Sequence, residues 1–218
     1  MNGIRKKIMV FIDWYLPGTN AGGPVRTCAN MIARLSGAFD FMVVTRDTDL
    51  KANKPYEGII SDSWNTLPDG TPVYYFSDHQ LTWKNVSRLL LETKPDFIHL
   101  NSMYSWPFTV LPLLAAKRSG TGIRIIVGPR GMLSRGALVV KPLKKKLFIS
   151  AAKTLGLFNN ITWHASTEVE AREVKNTFGQ DVHVRIAIDL APPAVFDQVR
   201  RNKNAGEMSL FYLGRISP

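Results

Sequence analysis

Four short stretches of the chain combine residue types that could hold or polarise a ligand, and each follows a predicted strand. The first is Leu16-Pro17-Gly18-Thr19-Asn20-Ala21-Gly22-Gly23-Pro24. Glycines let a backbone come close to a ligand, and a helix opening at Pro24 offers free N–H groups with a partial positive charge. A phosphate or carboxylate suits such a loop. The plainer alternative is a tight turn with Pro24 in the first helical turn, but the adjacent Gly22 and Gly23 exceed what a turn needs. The loop is neither a Walker loop, since Pro24 follows Gly23, nor a G-x-G-x-x-G dinucleotide fingerprint.

The second stretch carries His99, Asn101, Ser102 and Tyr104. His99 lies inside its strand and reads as a core histidine. Asn101 and Ser102 stand at the strand end, where they could meet a hydroxylated ligand or equally cap the turn that follows. The third, Gly128-Pro129-Arg130-Gly131-Met132-Leu133-Ser134-Arg135-Gly136, holds an arginine between glycines and a proline. Such a loop can aim the Arg130 guanidinium at a carboxylate or phosphate, a solvated surface arginine being the alternative. The fourth carries His164, Ser166, Thr167 and Glu168. Thr167 with Glu170 fits a capping box, which assigns the hydroxyl to the helix and leaves His164 as the foremost histidine candidate, against a buried structural role.

Several chemistries are excluded. His79, His99, His164 and His183 show no metal-ligand spacing, and a lone Cys28 allows neither an internal disulfide nor a cysteine-built zinc site. No paired carboxylates fit a hydrolase, and no serine sits in a G-x-S-x-G elbow. No bound metal and no resident cofactor are therefore expected. A further cluster, Lys141, Lys144, Lys145, Lys146 and Lys153, surrounds a helical stretch whose apolar stripe is Leu143, Leu147, Ala151 and Leu155. At about 100° per residue, Ile149 falls among Lys145, Lys146 and Lys153, away from that stripe. An exposed apolar residue in a lysine face suits anionic lipid headgroups; a solvated face is the alternative.

These stretches depend on regular alternation. Strands are predicted over 7–14, 41–45, 73–76, 97–100, 123–127, 162–165 and 182–188, and helices over 24–35, 83–92, 108–117, 142–155 and 168–178. Residues 47–70, rich in Asp, Asn, Ser and Pro, read as a long irregular excursion. Alternation of this kind implies right-handed βαβ crossovers, hence an α/β, Rossmann-like, doubly wound parallel sheet whose ligands gather beyond the carboxyl ends of its strands. The domain is expected over 1–191, followed by a polar, basic linker over 192–207. The segment 208–218 reads as a strand running into a Gly214-Arg215 turn. A parallel strand needs cover on both faces, so this one is expected to open a second, truncated Rossmann-like domain.

The charge balance narrows the partners. With 28 Lys+Arg against 17 Asp+Glu and a formal net charge of +11, an anionic partner is expected: nucleic acid, an acidic membrane surface or a phosphorylated substrate. Arg5-Lys6-Lys7 before an apolar run resembles a signal sequence, but Asp13 cuts the run short and no small-residue cleavage site follows. No apolar stretch approaches the ~20 residues a spanning helix needs. The expected location is cytoplasmic, with a peripheral contact at the inner face of the plasma membrane. A basic nucleic-acid-binding α/β module is the alternative, weakened by the lack of a recognition helix or aromatic platform. A nucleotide-dependent oxidoreductase is weakened by the missing fingerprint.

Taken in order, Gly22-Gly23-Pro24, Pro95-Asp96-Phe97-Ile98-His99, Gly128-Pro129-Arg130-Gly131-Met132-Leu133-Ser134, Trp163-His164-Ala165-Ser166-Thr167-Glu168 and Phe211-Tyr212-Leu213-Gly214-Arg215-Ile216-Ser217-Pro218 resemble the N-terminal half of a bacterial family 4 glycosyltransferase of the GT-B fold. Its nearest likeness is to enzymes of capsule, exopolysaccharide or lipopolysaccharide assembly. The resemblance implies an acceptor-binding domain facing a donor domain that binds a nucleotide-sugar. Transfer to a glycan or lipid-linked glycan would proceed with retention and without metal. It implies that Gly22 and Gly23 lie near the donor's phosphates and sugar, that Arg215 contacts the diphosphate, and that Arg130 and His164 stand at the catalytic centre. Asn101, Ser102, Tyr104, Gly131 and Ser134 would meet the acceptor. Arg130-Gly131 departs from the His-Gly of many relatives. The chain alone is expected to be inactive, and nucleic acid is not an expected partner.

Overall fold

The computed structural model describes residues 5–192, together with Gly206 and Met208. The strands are β1 (Lys6–Phe11), β2 (Phe39–Arg46), β3 (Ser63–Thr66), β4 (Pro72–Phe76), β5 (Phe97–Leu100), β6 (Arg124–Val127), β7 (Thr162–Ala165) and β8 (Val184–Ile186). The helices are α1 (Gly23–Leu35), α2 (Trp83–Thr93), α3 (Leu111–Arg118), α4 (Arg135–Val139), α5 (Pro142–Thr154) and α6 (Glu168–Phe178), with one π-helical turn at Trp106–Val110 leading into α3. The sheet order is β3-β4-β2-β1-β5-β6-β7-β8, parallel except for β3. This is the expected Rossmann-like doubly wound sheet. The expected linker and terminal strand, 192–207 and 208–218, fall almost wholly outside the described residues.

β1 shows why the layers form. After the exposed Lys6 and Lys7, its residues Ile8–Phe11 are apolar in succession, as a strand buried on both faces requires. Met9 and Phe11 belong to one buried cluster with Val44, Ile98, Leu100 and residues of α2, α3, α5 and α6. Val10 and Ile12 pack on the opposite face against Val25, Cys28 and Ile32 of α1. The helix ends follow local rules. The Thr82 hydroxyl accepts from the Asn85 N–H at 3.3 Å to start α2, and a left-handed Lys94 ends it before Pro95.

The structure departs from expectation in three places. Residues 47–70 are not wholly irregular: β3 adds an antiparallel edge strand, and Trp64 packs edge-on against Tyr74 at 5.4 Å. Ser134 caps a short α4 that the sequence did not mark, its hydroxyl accepting from the Ala137 N–H at 3.2 Å. Most consequentially, α5 is turned the other way. Leu143, Leu147 and Leu155 are exposed, whereas Ile149, expected on an exposed lysine face, packs against the core with Phe148 and the buried Ala152.

The cause is the aromatic cluster. Phe148 bridges Tyr104 and Phe158 with ring separations of 5.2 and 6.4 Å, and an aromatic ring buries more area than a leucine. Lys145 turns inward as well, its ammonium donating to the Ala137 carbonyl and lying 5.5 Å from the centre of the Tyr104 ring. It therefore does not share the outward face of Lys144, Lys146 and Lys153.

Trp163 sits at the centre of the same cluster, fully buried and stacked on Phe178 at 4.9 Å and 26°, with Phe158 also at 4.9 Å. Replacing it by alanine is expected to cost about 3–5 kcal/mol of folding stability. Trp163→Phe should cost less, because it keeps a ring between Phe158 and Phe178. Urea unfolding of the variants measures both.

Candidate functional site

The strand order reverses at β1. The chain runs outward from β1 through β2 to β4, then returns to β5 on β1's other side and continues to β8. The loops leaving β1 and β5 therefore diverge, and a crevice opens between them at the carboxyl edge of the sheet. Asp13 and Ser105 span this crevice: the Ser105 hydroxyl donates to the Asp13 carboxylate at 2.7 Å. The same hydroxyl oxygen accepts from the Phe108 N–H at 3.2 Å, so Ser105 starts the π-helical turn while holding Asp13. Burial raises the Asp13 carboxyl above the usual carboxylate range, against the lowering effects of the Ser105 hydrogen bond and of nearby Arg46. Arg46 ends β2, pairs with Asp78 and stands over the Phe108 ring, with its buried Nε unpartnered.

Beside Asp13, the first loop is shaped from outside. The Asp49 carboxylate accepts from the Thr19 and Asn20 N–H groups at 3.1 and 3.2 Å. Gly18 leaves room for both side chains: an added Cβ would lie 2.2 Å from the Tyr56 hydroxyl and 2.9 Å from the Asp49 carboxylate, and both would have to shift. Gly22 adopts φ 70° and places α1 with no side-chain cap and no acidic residue in its first turn. Gly23 and Pro24 are exposed. The uncapped helix end can thus receive an anion, as the sequence suggested.

The third and fourth stretches meet on the α1 side of the sheet. Arg130, at φ 53°, donates to the Asp189 carboxylate at 2.6 Å and to the Asn101 side-chain oxygen at 2.8 Å, leaving its buried Nε unpartnered. The bond from Arg130 fixes the Asn101 amide, whose nitrogen then faces His99 Nδ1 at 3.4 Å. His99 Nε2 in turn faces His164 Nδ1 at 3.4 Å, and His164 Nε2 lies 2.9 Å from the Ala187 carbonyl.

One proton assignment satisfies every contact. His164 must donate from Nε2 to a carbonyl, so its Nδ1 accepts from His99 Nε2, and His99 Nδ1 accepts from Asn101. Both imidazoles are then neutral. Burial, then the charge of Arg130, holds the His99 imidazole well below its ordinary range. His164 therefore uses both ring nitrogens within the chain, and Arg130 is already matched by Asp189.

The remaining expected residues are engaged in similar ways. Asn101 and Ser102 are buried, and the Ser102 hydroxyl points to Met132 Sδ at 3.7 Å. Gly131 donates its N–H to the Glu170 carboxylate at 2.6 Å, and Ser134 caps α4. Tyr104 differs: its hydroxyl is buried without a partner. Arg215 lies outside the described residues. Cys28, with its thiol pushed up to about 12 by burial, is core filling.

Glu170 was read as the second half of a capping box. Thr167 does accept from the Glu170 N–H at 3.2 Å. The Glu170 carboxylate, however, passes the cap and accepts from the Ser166 N–H and hydroxyl at 2.7 and 2.9 Å, besides Gly131. It ties the β6 and β7 loops together. Asp13, Arg46, Ser105 and Asp189 also escaped the sequence reading. Asp13 carried a usable signal, a carboxylate that closes an apolar strand.

The segment after β8 folds back across α1. Asn30 donates to the Leu190 carbonyl at 3.0 Å, and Arg34 donates to the carbonyls of Ala191 and Pro192 at 3.3 and 3.0 Å. With Arg130 and His164 it encloses an apolar pocket of about 310 Å³. Among the described residues no group of histidines, cysteines and carboxylates could hold a metal ion.

The fold is a Rossmann-like α/β domain with a crevice at its topological switch point. No protein-family model matches the chain, and no curated protein matches it. Among solved structures, the catalytic domain of starch synthase IV from Arabidopsis thaliana, bound to ADP and acarbose, matches at 16% identity and TM-score 0.37, covering 57% of this chain and 33% of that one. The GH53 catalytic domain from Ignisphaera aggregans matches at 14% identity and TM-score 0.34, covering 85% and 57%. The chain thus spans less than two thirds of either. At this level of likeness neither match bears on the chemistry.

The neutral His99 has a consequence for stability. Its folded pKa lies below the ordinary 6.5, so the stability it confers is complete above about pH 6.5 and is lost as pH falls towards the folded value. Thermal unfolding is expected to show Tm falling from pH 7 to pH 5, with a flatter slope over that window in His99→Gln. Equal slopes in the two proteins would contradict the assignment.

Proposed function

We propose that the chain is the acceptor-binding domain of a GT-B glycosyltransferase, acting on a nucleotide-sugar donor and a glycan or lipid-linked glycan acceptor. The observation that carries this reading is the crevice itself: a carboxyl group of raised pKa, Asp13, held by Ser105 beside the uncapped helix end at Gly22-Gly23. The ordered motif set that ends in Gly214-Arg215 supports it from the sequence.

In the reaction, an acceptor hydroxyl replaces the nucleoside diphosphate at the anomeric carbon, with retention. Charge grows on the departing diphosphate. Helix-end N–H groups and a guanidinium can stabilise that charge without metal, which gives Gly22, Gly23 and Arg215 their roles. Asp13 orients the acceptor hydroxyl and accepts a hydrogen bond from it. Arg130 and His164 act through the Asn101–His99 relay as positioning residues that fix the β6 and β7 loops.

The test expresses residues 1–218 alone and with any coding sequence that continues the reading frame past Pro218. It measures nucleoside diphosphate release from UDP-glucose, UDP-N-acetylglucosamine and GDP-mannose in the presence of EDTA. Turnover is expected from the extended chain and not from residues 1–218 alone. Asp13→Asn should lower turnover by about 10²-fold or more. The same variant should raise Tm at neutral pH, because a carboxyl with a raised pKa opposes folding once ionised. Full turnover by residues 1–218, or none by the extended chain with any of the donors, would overturn the reading.

A further inference from the structure

The outward face of α4 and α5 has no partner in the fold. Val139, Val140, Leu143, Leu147 and Leu155 are 75%, 60%, 80%, 72% and 80% exposed. Lysines border them on both sides: at about 100° per residue, Lys146 and Lys153 flank one edge of the Leu143–Leu147 row and Lys144 the other, with Lys141 at the helix start. Among the described residues no carboxylate lies within ion-pair distance of these four lysines. The sequence extends the asymmetry, since it holds no acidic residue between Asp96 and Glu168. Both halves of a membrane-surface helix are present: an aliphatic ridge and a cationic border that nothing neutralises.

We propose that the α4–α5 face docks on an anionic lipid bilayer, with Val139, Val140, Leu143 and Leu147 entering the headgroup–acyl boundary and Lys141, Lys144, Lys146 and Lys153 meeting the phosphates. Charge complementarity selects this occupant. A second copy of the chain would bring like lysines face to face. The polar segment Arg200-Arg201-Asn202-Lys203-Asn204 is itself basic and would repel them. A nucleic acid would satisfy the lysines, but the ridge between them is aliphatic and offers no ring on which a base could stack. No helix among the described residues is long and apolar enough to cross a membrane, so the contact is peripheral.

The surface adjoins the crevice. Lys145, turned inward from α5, lies over the ring of Tyr104, which follows β5 at the carboxyl edge of the sheet. A ligand carried in the bilayer would arrive on the β5 side of the crevice. The docking goes beyond the glycosyltransferase reading and does not require it, since vesicles can bind whether or not a nucleotide-sugar is turned over.

Co-sedimentation of the full chain with vesicles tests the proposal. Vesicles of phosphatidylcholine with roughly one third phosphatidylglycerol should bind at least about tenfold more tightly than phosphatidylcholine alone, and binding should weaken with salt. The Leu143→Ser, Leu147→Ser double variant should lose about tenfold or more of that binding, with unchanged Tm because both side chains are exposed. Lys144→Glu with Lys146→Glu should lose a comparable amount. Negligible binding to both vesicle types, or equal binding to both, would overturn the proposal. So would a single-stranded oligonucleotide that binds the chain when anionic vesicles do not, or a dimer that the leucine variant dissociates while vesicle binding stays unchanged.

Discussion

Burial of β1 on both faces and along both edges is the constraint on which the rest depends. A strand in that position must be apolar in succession, and its parallel neighbours on either side can be reached only by crossovers that leave in opposite directions. The pairing of β1 with β2 on one side and β5 on the other meets that requirement. It also forces the β1 and β5 loops apart. The crevice is therefore a by-product of topology, and what lines it is decided by the first residues after each strand. Asp13 and Ser105 close the crevice floor with one hydrogen bond. The glycines after Asp13 leave a helix end uncapped beside it.

A second layer of order lies on the α1 side. Arg130, Asn101, His99 and His164 form a chain of donors and acceptors that has one self-consistent proton arrangement and ends on the Ala187 carbonyl. Its effect is to tie three strand ends to the segment that crosses α1. Because the segment also carries Asp189, the Arg130 charge is matched within the domain. An arginine that looks available in the sequence is thus a brace, and the left-handed backbone at Arg130 is held by two bonds to its side chain.

The sheet was legible because it rests on periodicity. The apolar runs of β1, β5 and β6, the capped start of α6 and the stop of α2 before Pro95 are local signals, and they place most elements. β3 was not legible, since its Ser-Trp-Asn-Thr sequence alternates too briefly and gains its pairing only from β4. The orientation of α5 was not legible either. Apolar residues lie on two arcs of that helix, and the choice between them is made by Phe158, just past its end, and by Tyr104, far upstream in sequence. In the site, the glycine loop and the arginine loop could be found from composition. Asp13 could not be weighted, because its value comes from Ser105, ninety-two residues away, and from burial that only the folded sheet supplies.

The crevice and the α5 face lie on adjoining parts of one surface, with Tyr104 and Lys145 between them. The acceptor, donor and bilayer roles proposed above make compatible demands on that surface. The central claim, that ligand binding occurs at the switch point, is tested most directly by backbone amide chemical shifts of residues 5–192 during titration with UDP-glucose. The account predicts the largest shifts at Gly22, Gly23, Val25 and the amides around Asp13 and Ser105. Shifts confined to the α5 lysines, or to the amino-terminal edge of the sheet around Lys7 and Asp96, would contradict it.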